Sequence, residues 1–198
     1  MKWLQDNLSK DAAQQYKVAK PFPHIVVKDF FLPERAINVR DALMRDSFTR
    51  KDTDLFSFAQ SRDIDGTTNK VLQTFYDFFS STEMLRLVES ITSVKPLKSS
   101  DMSGFLYEQG DYLLCHDDQL EGRKVAYIYN LSDNFVGTDG GALRLFSLQQ
   151  GHPMKVVKSV LPSFNTLTLF TVRPDSFHDV QEVLSKKQRW SLTGWFYG

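Results

Sequence analysis

From residue 99 to the end, the chain is cut into short runs of alternating apolar residues, and no other feature narrows the fold so far. Eight stretches read as strands, over 103–108, 112–116, 124–131, 142–148, 155–161, 166–172, 177–180 and 190–197. Turn-forming residues separate them: Gln109-Gly110-Asp111, Glu121-Gly122, the glycines between 137 and 141, Gly151 and Pro174. Short strands in close succession, without helices between them, suggest a two-sheet jelly roll. A chain of 198 residues with 41% hydrophobic residues and sixteen phenylalanines can fill the core of such a fold.

Upstream the apolar spacing changes to the helical period. Residues 3–19 carry Leu4, Leu8, Ala12 and Tyr16 at every fourth position, an amphipathic helix stopped before Pro21 and Pro23. A strand follows over 24–31 around Ile25, Val26 and Val27, and Pro33 opens a helix running to 45. Residues 52–65 are less regular, with Asp54-Leu55-Phe56-Ser57-Phe58 as a short strand or loop. Thr67 or Thr68 caps a helix over 69–80 with an apolar face of Val71, Leu72, Phe75, Phe78 and Phe79, and a further helical stretch covers 82–92. Helices first and strands afterwards make an α+β arrangement, mainly β, with the helices buttressing one sheet. No linker divides it, so 1–198 reads as one domain, with helical support over 1–98 and a β core over 99–198.

Charge and cysteine content exclude several classes. Lys+Arg and Asp+Glu balance at 24 each, so no global field favours nucleic acid or an anionic membrane. The single cysteine, Cys115, forbids an internal disulfide. The first residues lack the apolar core of a signal peptide and no run reaches the length of a membrane span. These features point to an intracellular, cytoplasmic protein, or a nuclear one in a eukaryote.

The chemistry is carried by Tyr112-Leu113-Leu114-Cys115-His116-Asp117-Asp118. In an extended chain His116 and Asp118 share one face, while Cys115 and Asp117 face away. Sixty residues past Asp118 comes His178, and two histidines with one carboxylate can occupy one face of an iron(II) ion. Eleven residues further on, Arg189 opens an alternating strand and could clamp a distal carboxylate in a bidentate pair. An H-x-D, a distant His and a following Arg form the pattern of 2-oxoglutarate-dependent iron oxygenases. A metallohydrolase could use the same three ligands but would leave Arg189 unexplained. His24 after Pro23 and His152 between Gly151 and Pro153 read as structural or loop residues.

Several stretches resemble a known family. Cys115-His116-Asp117-Asp118-Gln119-Leu120-Glu121-Gly122-Arg123, Asp139-Gly140-Gly141-Ala142-Leu143-Arg144-Leu145-Phe146, Ser176-Phe177-His178 and the closing Ser191-Leu192-Thr193-Gly194-Trp195-Phe196-Tyr197-Gly198 resemble the ribosomal prolyl 3-hydroxylases. These are 2-oxoglutarate and iron(II) oxygenases that modify a small-subunit ribosomal protein. Asp54-Leu55-Phe56-Ser57-Phe58-Ala59-Gln60-Ser61 matches as well, so the similarity covers nearly the whole chain. The resemblance implies a double-stranded β-helix, with His116, Asp118 and His178 holding Fe(II) and Arg189 anchoring 2-oxoglutarate. It also implies O2 as oxidant, ascorbate as a supporting reductant and a ribosomal protein as partner. Eukaryotic members carry a second, non-catalytic β-helix domain, and residue 198 falls where the first would end; a compact relative and a shortened chain both fit.

Two features depart from that family. Prolyl hydroxylases often place a tyrosine in the strand after the H-x-D, where Asn130 stands here; Tyr107 or Tyr127 would then supply the phenol, with Thr193 adding a hydrogen bond. No basic tail is present to hold a ribosome by charge. The substrate would lie across the mouth near Arg123 and Trp195. Alternatives to prolyl 3-hydroxylation keep the cofactors and change the substrate, to free proline, another amino acid or another protein side chain. A catalytically silent β-helix that binds a peptide is the alternative from another class.

Overall fold

An amphipathic helix needs a surface on which to bury its stripe, and a sheet with one apolar face offers it. The computed structural model describes residues 2–5 and 11–198. The first half holds α1 (Ala12–Val18), β1 (His24–Val27), α2 (Pro33–Leu43), β2 (Phe48–Asp52), β3 (Phe56–Asp63), α3 (Lys70–Phe79) and α4 (Thr82–Thr92). The second half is built from β4 (Ser99–Ser100), β5 (Ser103–Tyr107), β6 (Tyr112–His116), β7 (Arg123–Asn130), β8 (Leu143–Gln149), β9 (His152–Val160), β10 (Thr166–Thr171), β11 (His178–Val180) and β12 (Arg189–Tyr197). The strands pair in the order β1-β10-β7-β12-β5-β3-β6-β11-β8-β9, with β2 added to β3 and β4 to β12. The antiparallel sheet curls until it is nearly closed as a barrel, which makes the chain a mainly-β jelly roll.

Alternation along the central strands separates two interiors. Val125, Tyr127 and Tyr129 of β7 face the helices, whereas Ala126 and Ile128 face into the barrel. On the helix side Phe75 lies 5.2 Å from Phe31 and 5.6 Å from Tyr129 between ring centroids, and Phe79 lies 4.5 Å from Tyr127. Burying each such side chain contributes about 1.5–3 kcal/mol, so this face carries much of the fold's stability.

Three local expectations change. Trp3 and Leu4 are not helical: Leu4 bridges Phe31, Trp3 is buried among aromatic rings, and Leu32 donates to the Trp3 carbonyl at 2.9 Å. The gain from burying the indole outweighs the helical spacing; Leu8, on which that reading also leaned, lies outside the described residues. The cap of α3 is Asn69, whose Oδ1 accepts from Val71 at 3.1 Å and Leu72 at 3.3 Å, not Thr67 or Thr68. Within the stretch read as helical support, β2 and β3 form a hairpin that joins the barrel. β2 is almost wholly exposed, so its Thr49-Arg50-Lys51 shows no apolar alternation to read.

Candidate active site

The pairing of two strands decides where the histidines go. β6 and β11 run antiparallel with His116 opposite His178 and Leu113 opposite Val180. Between those pairs β6 has Leu114 and Cys115 where β11 has only Asp179, so β6 carries a bulge. The extra residue turns both Leu113 and His116 onto the wall of a cavity of 360 Å³ and leaves Leu114 exposed outside it. The two imidazoles come within 4.3 Å of each other, centroid to centroid. Cys115 sits half-buried near Asp179 and Arg144, where burial pushes its thiol up to about 11.

Asp118 arrives by a route that strand alternation does not provide. β6 ends at His116, and Asp118 has φ 62°, in the left-handed region. The turn folds its carboxylate back between the rings, with Oδ1 3.3 Å from His116 Nε2 and Oδ2 3.4 Å from His178 Nε2. The Ser176 hydroxyl lies 3.1 Å from the Asp117 carbonyl, tying this turn to the segment that leads into β11.

Each histidine Nδ1 lies 2.8 Å from a carbonyl two residues upstream, of Leu114 and of Ser176. A carbonyl only accepts, so each Nδ1 carries a proton there and each Nε2 faces Asp118. Burial pushes Asp118 up, but the two imidazoles outweigh it and hold the carboxyl well below its usual range. Burial likewise lowers His116, and hydrogen bonding to Asp118 overrides it and raises the group. The three donor atoms lie within 4.8 Å of one another, a two-histidine, one-carboxylate set that suits divalent iron.

The far end of the cavity is built by β12 and its neighbours. Arg189, Ser191, Thr193 and Trp195 share one face of β12, opposite Trp190, Leu192 and Phe196, which lie in the helix-side core. Arg189 is 2% exposed; its Nε donates to the Gly141 carbonyl at 3.0 Å and an Nη to Ser191 Oγ at 3.3 Å. Its guanidinium lies 5.0 Å from the centroid of the Tyr107 ring, and burial lowers its pKa. Among the described residues it makes no ion pair. A buried cation without a counter-charge is costly, and an anionic carboxylate is the group that would relieve it. Gly141, at φ 69°, holds a backbone conformation that other residues rarely adopt, and a Cβ there would stand 3.2 Å from the Phe135 ring and 3.3 Å from Val183. That role was invisible in the sequence, where Gly140-Gly141 reads only as a turn.

The remaining candidates divide. Tyr107 and Thr193 line the cavity, and burial raises the Tyr107 phenol. Asn130 sits opposite Ser191 on the adjacent strand, 1% exposed, with an Oδ1 that has no partner. Tyr127 also touches the cavity, but its hydroxyl donates to the Asp101 carbonyl at 2.6 Å and its ring packs into the helix-side core. It is therefore not free to supply a phenol. Arg123 stacks on Trp195, its Cζ 3.3 Å from the ring centroid, with Nη1 3.8 Å from Asp118 Oδ1. Phe56, Phe58 and Gln60 of β3 form a wall that periodicity did not single out; only the Asp54–Ser61 likeness hinted at it. His24 is buried against the Phe22 carbonyl and His152 is exposed, both away from the cavity.

Comparison with known proteins agrees with this geometry. Residues 102–197 match the 2OG-Fe(II) oxygenase superfamily. The chain is 38% identical over 185 residues to prolyl 3-hydroxylase OGFOD1 of Xenopus laevis, covering 90% of this chain and 35% of that protein. It is 35% identical over 181 residues to the Mus musculus protein of the same name, covering 90% of this chain and 33% of the relative. The chain thus spans about a third of the length of these relatives. In fold it is similar to a Pseudomonas putida prolyl-4-hydroxylase, with a TM-score of 0.72 at 21% identity over 94% of this chain and 98% of that one. The segment over residues 102–197, which carries the His-Asp-His cluster and the buried arginine on one cavity, belongs to the 2OG-Fe(II) oxygenase superfamily.

Proposed function

We propose that the chain hydroxylates a prolyl residue in a protein, using Fe(II) and 2-oxoglutarate, and that the protein is a component of the small ribosomal subunit. The observation that carries the chemistry is a single cavity with the His116, Asp118 and His178 donors at one place on its wall and the unpaired Arg189 guanidinium at another. The relatives' names support a prolyl target, and the matched motifs support a ribosomal one. The site works inside the cell on this reading, and no helix among the described residues is long and apolar enough to cross a membrane.

His116 and His178 would hold the metal through Nε2 and Asp118 through its carboxylate, the two backbone carbonyls fixing the imidazole tautomers. Arg189 would bind the distal carboxylate of 2-oxoglutarate, with Thr193 and Tyr107 beside it and Asn130 supplying an amide where relatives place a phenol. Iron(II) with 2-oxoglutarate and O2 supplies an oxidant strong enough to hydroxylate an unactivated C–H bond, releasing succinate and carbon dioxide. The protein's own part is to orient these groups and, through the apolar wall of Phe56, Phe58 and Leu113, to keep water out. The substrate would enter at the mouth, past Arg123 and against Trp195.

Purified chain should form succinate from 2-oxoglutarate only with iron, and faster with a proline-containing peptide from a ribosomal protein. Stimulation by free proline and not by peptides would replace the protein substrate with an amino acid. No turnover under any condition would leave a silent peptide-binding barrel.

A further inference from the structure

The indole of Trp195 is already occupied. It lies on β12 opposite Ala126, which in turn is opposite Phe170, and the Phe170 ring is 4.6 Å from that of His178, centroid to centroid. Trp195 therefore presents a flat aromatic face beside the metal-ligand cluster, the kind of surface on which a saturated five-membered ring packs. What covers that face now is the guanidinium of Arg123, 3.3 Å from the ring centroid.

We propose that Arg123 is a displaceable cover for Trp195, holding the indole face that the reacting ring of the substrate takes. The inference rests on the prolyl reading above and adds a step to substrate entry. Arg123 has no close ion pair: its nearest carboxylate oxygen, on Asp118, is 3.8 Å away, its other side-chain partner is the Tyr197 hydroxyl, and its side chain remains 18% exposed. That hold weakens when a metal binds. A divalent cation among the three donors neutralises Asp118 and repels the guanidinium, so the loaded site releases the cover. The released side chain has somewhere to go, because Arg123 also lines a shallow outer groove shared with Gln119, Glu121, Val172 and Arg173. Glu121 lies there as a counter-charge, beside the cations Lys124 and Arg173. Trp195 supports the same reading from its edge: Nε1–H is buried with no acceptor among the described residues, so the indole lacks a partner the chain does not itself supply.

The cover makes a prediction opposite to that of a substrate-binding arginine, since its loss should tighten binding of the ring. Acrylamide quenching of tryptophan fluorescence reads this directly, because Trp3 and Trp190 are 6% and 8% exposed and the accessible emission belongs to Trp195. Arg123→Ala should quench more steeply than wild type, and N-acetyl-L-prolinamide should protect it at about 2–30-fold lower concentration, the factor a cation–π contact is worth. Arg123→Met, which keeps the stem over the ring without the charge, checks that the fold survives and should quench like wild type. Adding Zn(II) should steepen quenching of wild type and leave Arg123→Met unchanged. Unchanged quenching in Arg123→Ala, no response of wild type to Zn(II), or a need for more N-acetyl-L-prolinamide in the variant would each overturn the proposal. Steeper quenching in Arg123→Ala with no protection of either protein would keep the cover and remove the prolyl ring as its displacer.

Discussion

The two faces of β12 sit a strand's thickness apart and obey different rules. Trp190, Leu192 and Phe196 pack into the helix-side core among apolar and aromatic side chains. Arg189, Thr193 and Trp195 line the cavity, where a guanidinium has no ion pair and an indole N–H no acceptor among the described residues. The first face lowers the free energy of the folded chain; the second raises it, because unpaired buried polar groups cost about 1–3 kcal/mol each. A fold tolerates that cost at a site whose missing partners arrive as ligands. The difference teaches where to look for function: in the polar atoms the chain leaves unmatched.

Substitutions on the two faces should therefore separate function from stability. The largest effect is expected from Asp118→Ala, whose iron affinity should fall by more than the roughly 10–100-fold that outer-shell changes cause. Equilibrium dialysis with iron checks the loss. Leu192→Ala, on the core face, should lose about 2–5 kcal/mol in denaturant titrations, while the surviving folded protein keeps its KM for 2-oxoglutarate. Arg189→Ala should do the reverse, raising that KM about 10–150-fold, the equivalent of a charged hydrogen bond worth about 1.5–3 kcal/mol, at little cost in stability. A KM that did not move would take Arg189 out of cosubstrate binding.

Smaller effects sharpen the line between the faces. Asn130→Leu removes an orphaned amide oxygen and should raise the KM for 2-oxoglutarate about 3–10-fold if Asn130 replaces the family's phenol. The last test is on the helix side. Burial pushes the Tyr16 phenol from 10.0 to about 12, so the folded state favours its neutral form. Its contribution is fully present below pH 10 and is lost as pH rises toward 12. Denaturant midpoints should fall over that window in wild type and fall less in Tyr16→Phe, with no change in cosubstrate affinity.

The core face was the more legible in the sequence. Tyr127, Tyr129 and Leu192 announce their alternation, and the strand boundaries over 103–197 follow from turn residues that act locally. His116, Asp118, His178 and Arg189 were legible as a pattern, and the structure brings the first three together on the cavity with Arg189 along its wall. What was not legible depends on pairing between distant strands. The bulge at Leu114 and Cys115 exists only because β11 is one residue shorter there, and no window of β6 alone contains it. The left-handed turn at Asp118, the approach of Gly141 to Arg189 and the commitment of the Tyr127 hydroxyl to Asp101 are likewise long-range. Trp3 shows the same limit at the start of the chain, since the ring cluster that draws it in is assembled from α3 and the residues before α2.

The central claim is most directly tested by mass spectrometry of small-subunit ribosomal proteins from cells lacking this protein, complemented with either the wild-type chain or Asp118→Ala. The account predicts a gain of one oxygen atom on a single proline that returns with the wild type and stays absent with the variant. Identical spectra in both strains would contradict it and send the search to a different substrate.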